Sequence, residues 1–178
     1  LAAVLGHYEQ VKTQQGVMDF DDVLLVTIGL LGSRSDIRES VRRAFRWITV
    51  DEYQDVSPLQ QRLLDLWVGD RDQVCVVGDP AQTIYQFAGA DPAILAGFTR
   101  RYPGATVVEL PTTFRCAPVI AEVANRLGQH IPGALRLRAV PGPTAGSAGV
   151  LQFPNDTAEA AGVADEIAGL VRGGHAVS

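Results

Sequence analysis

The feature that most limits how this chain folds is Trp47-Ile48-Thr49-Val50-Asp51-Glu52-Tyr53-Gln54-Asp55. An aromatic and β-branched run stops abruptly at the acids Asp51, Glu52 and Asp55. A buried strand reads this way when it delivers acids to the edge of a parallel sheet. Ligands of open α/β folds bind at the carboxyl ends of such strands. An Asp-Glu pair there suits Mg²⁺ and a water: the Asp holds a hard cation through oxygen, and the Glu takes a proton from the attacking water. On this stretch alone, a strand ending in a chemically idle polar turn stays open.

The pattern recurs. Val74-Cys75-Val76-Val77 runs into Gly78-Asp79-Pro80-Ala81-Gln82-Thr83-Ile84-Tyr85, and Thr106-Val107-Val108-Glu109-Leu110 runs into Pro111-Thr112-Thr113-Phe114-Arg115. Between the first two runs, Ser57-Pro58 is a helix entry, with serine at the cap and proline at the first position. Leu59, Leu63, Leu66 and Trp67 give that helix an apolar stripe, and Gly69-Asp70-Arg71-Asp72 loops back to a strand over 73–77. A strand–helix–strand unit predicts parallel strands with a right-handed crossover. Asp91-Pro92 starts a further helix with Ile94, Leu95 and Phe98 inward, and Pro103-Gly104 turns into a third strand over 106–109.

The flanks read as helices. Leu1 to Gln15 is helical and stops at Gly16; Asp19 caps a helix with Asp21 and Asp22 in its first turn, where carboxylates complement the helix dipole. After a break at 32–35, a short helix carries Arg38, Arg42, Arg43 and Arg46 mostly on one face. A solvated face and a DNA contact are both compatible with it. Ala117 to Leu127 is amphipathic, with Ile120, Val123, Ala124 and Leu127 inward; 128–149 is rich in Gly, Pro, Ala and Arg and reads as irregular; 150–153 reads as a strand; Asp156 or Thr157 caps a last helix over 158–171.

At 178 residues, 47% hydrophobic and 20% charged, the chain is long and apolar enough to bury a core. A net charge of −5 argues against a protein held on nucleic acid mainly by phosphate contacts. It leaves room for one that grips single strands by stacking bases on aromatics. Cys75 and Cys116 have no metal or disulfide spacing and read as reduced, buried residues. No signal peptide or long apolar run is present, which predicts a cytoplasmic protein without membrane contact. The chain starts at Leu1 and reads as a piece of a longer protein.

The three polar endings, in this order and spacing, resemble motifs II (VDEYQDVSPLQ), III (VVGDPAQTIYQFAGAD) and IV (LPTTFRC) of superfamily 1 DNA helicases of the UvrD/PcrA/Rep type. The resemblance runs from about Met18 to Leu127. It implies an α/β fold: a RecA-like parallel sheet flanked by helices. Residues 1–17 would end the inserted helical subdomain 1B, 18–109 would form the C-terminal part of motor domain 1A, and 110–178 the linker and start of motor domain 2A. The implied substrate and cofactor are ATP and Mg²⁺, with Asp51 as the metal-holding acid, Glu52 as general base, Gln82 at the γ-phosphate and Arg115 as an arginine finger. Phe114, where the family usually has tyrosine, would stack on the adenine. Tyr85 and Phe87, the latter usually tryptophan, would contact single-stranded DNA. The next residue is often basic in the family; here Ala88 removes one phosphate contact.

A glycine-rich P-loop ending in Gly-Lys-Ser/Thr has no match in the sequence, and neither do motifs I, V and VI. The resemblance therefore implies an ATP-dependent helicase acting on single-stranded DNA and duplex junctions. The P-loop and subdomains 1B and 2B would come from the rest of that protein, and this segment alone would be inactive. A truncated sheet with an open edge also predicts self-association. Three other readings remain: a helicase–nuclease subunit of the RecB/AddA kind, a motor-like scaffold that binds DNA without hydrolysis, and a metal-dependent phosphohydrolase using Asp51, Glu52 and Asp55. The last would need further ligands, and His7, His130 and His175 sit in no ligand-like spacing.

Overall fold

The computed structural model describes residues 1–142 and 146–174; His175 and part of the 128–149 segment lie outside them. Helix α1 (Ala2–Gln15) ends where Gly16 takes φ 64° and ψ 33°, a left-handed cap that glycine adopts without a Cβ clash. Asp19 then caps α2 (Phe20–Ser33): its carboxylate accepts the Asp22 N–H at 2.9 Å, and the Asp22 carboxylate accepts the Asp19 N–H at 3.0 Å. This reciprocal pair satisfies two of the helix's orphan donors. Extended Arg34 breaks the chain before α3 (Ser35–Ala44).

The α1–α2 corner is pinned by Lys12, the chain's single lysine, which is only 7% exposed. Its Nζ lies 2.9 Å from Glu9, 2.9 Å from Asp19 and 2.8 Å from Asp22, while the Tyr8 hydroxyl donates to Asp19 at 2.7 Å. Hydrogen bonding to Asp22 holds the Lys12 ammonium well above its ordinary range. The Asp22 N–H, then Tyr8 and Lys12, hold the Asp19 carboxyl well below its own; Lys12 does the same to Asp22.

The signs give a pH window. The raised lysine contributes stability below its unfolded value of about 10.4 and loses it as pH climbs through its folded value. The lowered aspartates contribute above about 3.9 and lose it as pH falls through their folded values. The Asp22 amide is therefore expected to keep its hydrogen-exchange protection at neutral pH and lose it on acidification below about pH 4. Lys12→Met is expected to lower that protection at neutral pH; unchanged protection in the variant would refute the pinning role.

The central unit is β1 (Ile48–Val50), α4 (Pro58–Val68) and β2 (Val74–Val76). The strands are parallel, in the register Ile48–Val74, Thr49–Cys75, Val50–Val76. Ser57 caps α4 as its sequence predicts, accepting the Gln60 N–H while Gln60 accepts the Ser57 N–H at 2.8 Å. Alternate strand residues Ile48, Val50, Val74 and Val76 pack on a core of Tyr53, Leu64 and Val68. α2 and α3 pack against α4.

Several expectations change here. The buried stripe of α4 is Gln61, Leu64 and Val68, one step round from the expected leucines. Gln61 tolerates burial because its Oε1 accepts the Tyr53 hydroxyl at 2.5 Å and its Nε2 donates to Asp65 at 2.7 Å. Cys75 is exposed rather than buried, because the strand's period of two turns it to the face opposite the core. Thr49 lies on the same outward face and is exposed as well.

The chain continues through α5 (Pro92–Ala96) and α6 (Phe98–Arg101), one expected helix divided at Gly97. Ile94, Leu95 and Phe98 pack on the core, with the Phe98 ring edge-on to Tyr53 at 5.7 Å. The expected third strand over 106–109 is not formed; Val107 and Val108 are exposed and unpaired. β-propensity makes a strand only where a neighbour offers a ladder.

Pairing occurs slightly later, between β3 (Thr112–Thr113) and β4 (Arg138–Ala139), in parallel. Between them lies α7 (Pro118–Gly128), whose buried residue is Ala121; Ile120, Val123 and Leu127 are exposed, against expectation. The 128–149 segment is thus partly ordered: the Asn125 side chain donates to the Leu137 carbonyl at 2.9 Å and accepts its N–H at 2.7 Å. The strand expected over 150–153 is absent, and α8 (Asp156–Arg172) is capped by Asn155. The whole is a mixed helix and small parallel-sheet architecture. Among the described residues no helix is long and apolar enough to cross a membrane.

Candidate active site

The carboxyl ends of β1 and β2 are tied side by side. The Val77 N–H donates to the Val50 carbonyl at 2.8 Å, and the Tyr53 N–H donates to the Val77 carbonyl at 2.9 Å. β1 therefore delivers Asp51 and Glu52 beside the point where β2 delivers Asp79. Both Asp51 and Glu52 are exposed.

Glu52 adopts φ 52° and ψ 40°, and among the described residues no other non-glycine has positive φ. A left-handed conformation at a residue with a Cβ costs roughly 1–2 kcal/mol. Such strain persists where surrounding structure enforces it, and it clusters at functional sites. Three bonds hold this residue, two at its backbone and one at its carboxylate. The Glu52 N–H donates to Asp51 Oδ1 at 2.9 Å, Gln54 Nε2 donates to Glu52 Oε2 at 2.7 Å, and the Asp55 N–H donates to the Glu52 carbonyl at 2.9 Å, closing the 3-10 turn Tyr53–Asp55.

Gln54 is 1% exposed, and its Oε1 accepts the Asp79 N–H at 3.0 Å. The Asp79 carboxylate accepts the Ala81 N–H and Gln82 Nε2, each at 2.9 Å. Asp51, Glu52 and Gln82 are thus brought together as one hydrogen-bonded group. Neither Gln54 nor Asp79 is assigned a role by the sequence reading. The available signal was a polar residue beside Tyr53 in a turn that the core must cover, and an aspartate before Pro80 at a helix-cap position.

Beyond the 3-10 turn at Pro80–Gln82, Tyr85 and Phe87 stand at the surface, 49% and 86% exposed. Their ring centroids are 6.0 Å apart. Gly89 closes their turn at φ 96°, and the Asp91 N–H donates to the Val56 carbonyl at 3.2 Å, anchoring it to the first strand's loop. Core packing does not account for Phe87. Phe114 (85% exposed) and Arg115 follow β3 as exposed side chains. No hydrogen bond or ion pair among the described residues joins them to Asp51, Glu52 or Gln82.

For Mg²⁺ the donor set is one or two carboxylates at a strand end. Among the described residues no group of three or more His, Cys, Asp or Glu side chains forms a cage. Asp51, an exposed carboxylate at a strand end, would suit an ion that keeps its waters and binds through one carboxylate plus substrate phosphates.

Asp51, Glu52 and Asp79 follow the carboxyl ends of two paired parallel strands, the edge at which ligands of open α/β folds bind. The chain belongs to the UvrD/REP helicase N-terminal domain family, whose model matches residues 1–103. It is 42% identical over 184 residues to ATP-dependent DNA helicase UvrD2 of Mycobacterium tuberculosis strain H37Rv, covering 98% of this chain and 26% of that protein. It is 33% identical over 127 residues to ATP-dependent DNA helicase PcrA of Staphylococcus aureus strain Mu50, covering 71% of this chain and 17% of that protein. The chain therefore spans about a quarter, or less, of the length of the curated relatives it matches.

Proposed function

We propose that this chain is the ATP-hydrolysing edge of an ATP-dependent DNA helicase, comprising the later part of a RecA-like motor domain (18–109), the end of an inserted helical subdomain (1–17) and the start of a second motor domain (110–178). The observation that carries the reading is the strained Glu52 beside Asp51 at the end of β1, hydrogen-bonded through Gln54 to the loop that bears Gln82.

In this reading Asp51 would hold Mg²⁺, and Glu52 accepts the proton of the attacking water. Gln82 meets the γ-phosphate, and its place three residues before Tyr85 puts phosphate sensing next to the DNA surface. Arg115 supplies positive charge to the phosphate oxygens from the second domain, and Phe114 stacks on the adenine. Mg²⁺, when bound, neutralises charge developing on the transferred phosphoryl group. The phosphate cradle is supplied by the rest of the protein, so the segment alone hydrolyses no ATP. Tyr85 and Phe87 grip single-stranded DNA by stacking, which suits an acidic chain because stacking needs little net positive charge.

Two measurements on the full-length protein check this. A tailed duplex is expected to be unwound only with ATP and Mg²⁺ present; a protein that binds the tail yet never displaces the strand would refute the helicase reading. Phe87→Ala is expected to weaken single-stranded DNA binding by about 1–3 kcal/mol in fluorescence anisotropy. The ATP affinity should not follow. Undiminished DNA affinity in that variant would remove Phe87 from the interface.

A further inference from the structure

We infer that Gln54 is a positioning residue that sets the Glu52 carboxylate and the Asp79–Gln82 loop in one fixed relation. The inference rests on the proposed role of Glu52 as general base. Gln54 does two jobs with one side chain: its Nε2 donates to Glu52 Oε2 at 2.7 Å, and its Oε1 accepts the Asp79 N–H at 3.0 Å. A neutral amide of this length is needed, because a carboxylate lacks the donor and an aliphatic chain lacks both. A second, longer contact at 3.4 Å runs from Nε2 to Asp55 Oδ2.

Burial makes these bonds count. Gln54 is 1% exposed, so water does not compete for its amide. Glu52, by contrast, is exposed, and its carboxylate would swing freely without this tether. The second strand's loop approaches closely enough that a side chain at Gly78 would crowd Gln54: a Cβ built there would lie 3.0 Å from Gln54 Oε1 and 3.2 Å from the Gln54 nitrogen. Gln54 gives its donor to the candidate base and its acceptor to the loop that carries Gln82.

The test uses steady-state ATP hydrolysis by the full-length protein with saturating oligonucleotide, comparing wild type, Gln54→Met and Gln54→Glu. Gln54→Met removes both bonds; Gln54→Glu keeps the acceptor for the Asp79 N–H and removes the donor to Glu52. Both are expected to lower kcat by about 10-fold to 100-fold while the KM for ATP stays within about twofold, because a base displaced by about 1 Å loses rate rather than binding. Gln54→Glu also sets a buried carboxylate beside Glu52, so if it fails to fold Gln54→Met alone decides. A kcat within about twofold of wild type, or a KM that rises while kcat holds, would overturn the inference. A wild-type protein that hydrolyses no ATP would instead overturn the functional reading on which it stands.

Discussion

Glu52→Gln in the full-length protein is expected to lower DNA-stimulated ATP turnover by about 10²–10⁴-fold, the usual contribution of a general base. The amide is isosteric and cannot accept the proton of the attacking water. The fold should tolerate the change. Glu52 is exposed, so no buried charge is stranded, and the side-chain oxygen of glutamine still accepts from Gln54 Nε2. Its left-handed backbone is held by the bond to Asp51 and by the 3-10 turn, neither of which uses the carboxylate. ATP and single-stranded DNA binding should therefore survive while turnover collapses. Full turnover in Glu52→Gln would exclude Glu52 as the base. Parallel loss of ATP binding would point to a structural role.

Arg115 carries the second large effect. An arginine finger contributes about 10³–10⁵ in rate, so Arg115→Ala is expected to cost at least about 10³-fold in kcat. Arg115→Lys should recover little of that, because an ammonium cannot reproduce the planar two-pronged donor set. Among the described residues no hydrogen bond or ion pair engages the Arg115 side chain, which is exposed. The ion pairs among the described residues use Lys12, Arg34, Arg43, Arg101 and Arg126, and Arg42 and Arg71 hold backbone carbonyls. Its loss should leave the melting temperature unchanged. ATPase kinetics of Arg115→Lys within about tenfold of wild type would refute the finger role.

How much of this was legible depends on whether the deciding force was local. The caps at Asp19 and Ser57 are local chemistry, one side chain and three following amides, and both form as read. The parallel pairing of β1 and β2 follows from two apolar runs joined by a helix. Matters set by distant partners were not legible. α4 buries Gln61, Leu64 and Val68 instead of the expected stripe, and the Tyr53 hydroxyl satisfies the glutamine that this brings inside. Thr106 to Glu109 has the composition of a strand but no ladder to join among the described residues. Cys75 follows the alternation of its strand and not the average habit of cysteine.

The site divides along the same line. Asp51 and Glu52 stand out as acids at the end of an apolar strand, whereas Gln82 is singled out only by the resemblance to motif III. The left-handed backbone of Glu52 is not legible, because glutamate carries no conformational signature of that kind. Nor is the Gln54 link, which exists only once β1 and β2 lie side by side. Lys12 is the converse case: an isolated lysine with no motif around it proves to be committed to Glu9, Asp19 and Asp22 at a helix corner.

The most direct measurement is ATP hydrolysis by the full-length wild-type protein with and without a single-stranded oligonucleotide. Strong stimulation by the oligonucleotide is predicted, since the loop that bears Gln82 runs directly into the aromatic pair Tyr85 and Phe87. Absence of hydrolysis with the oligonucleotide demonstrably bound would contradict the account and leave a DNA-binding scaffold that has kept a motor's residues without its reaction.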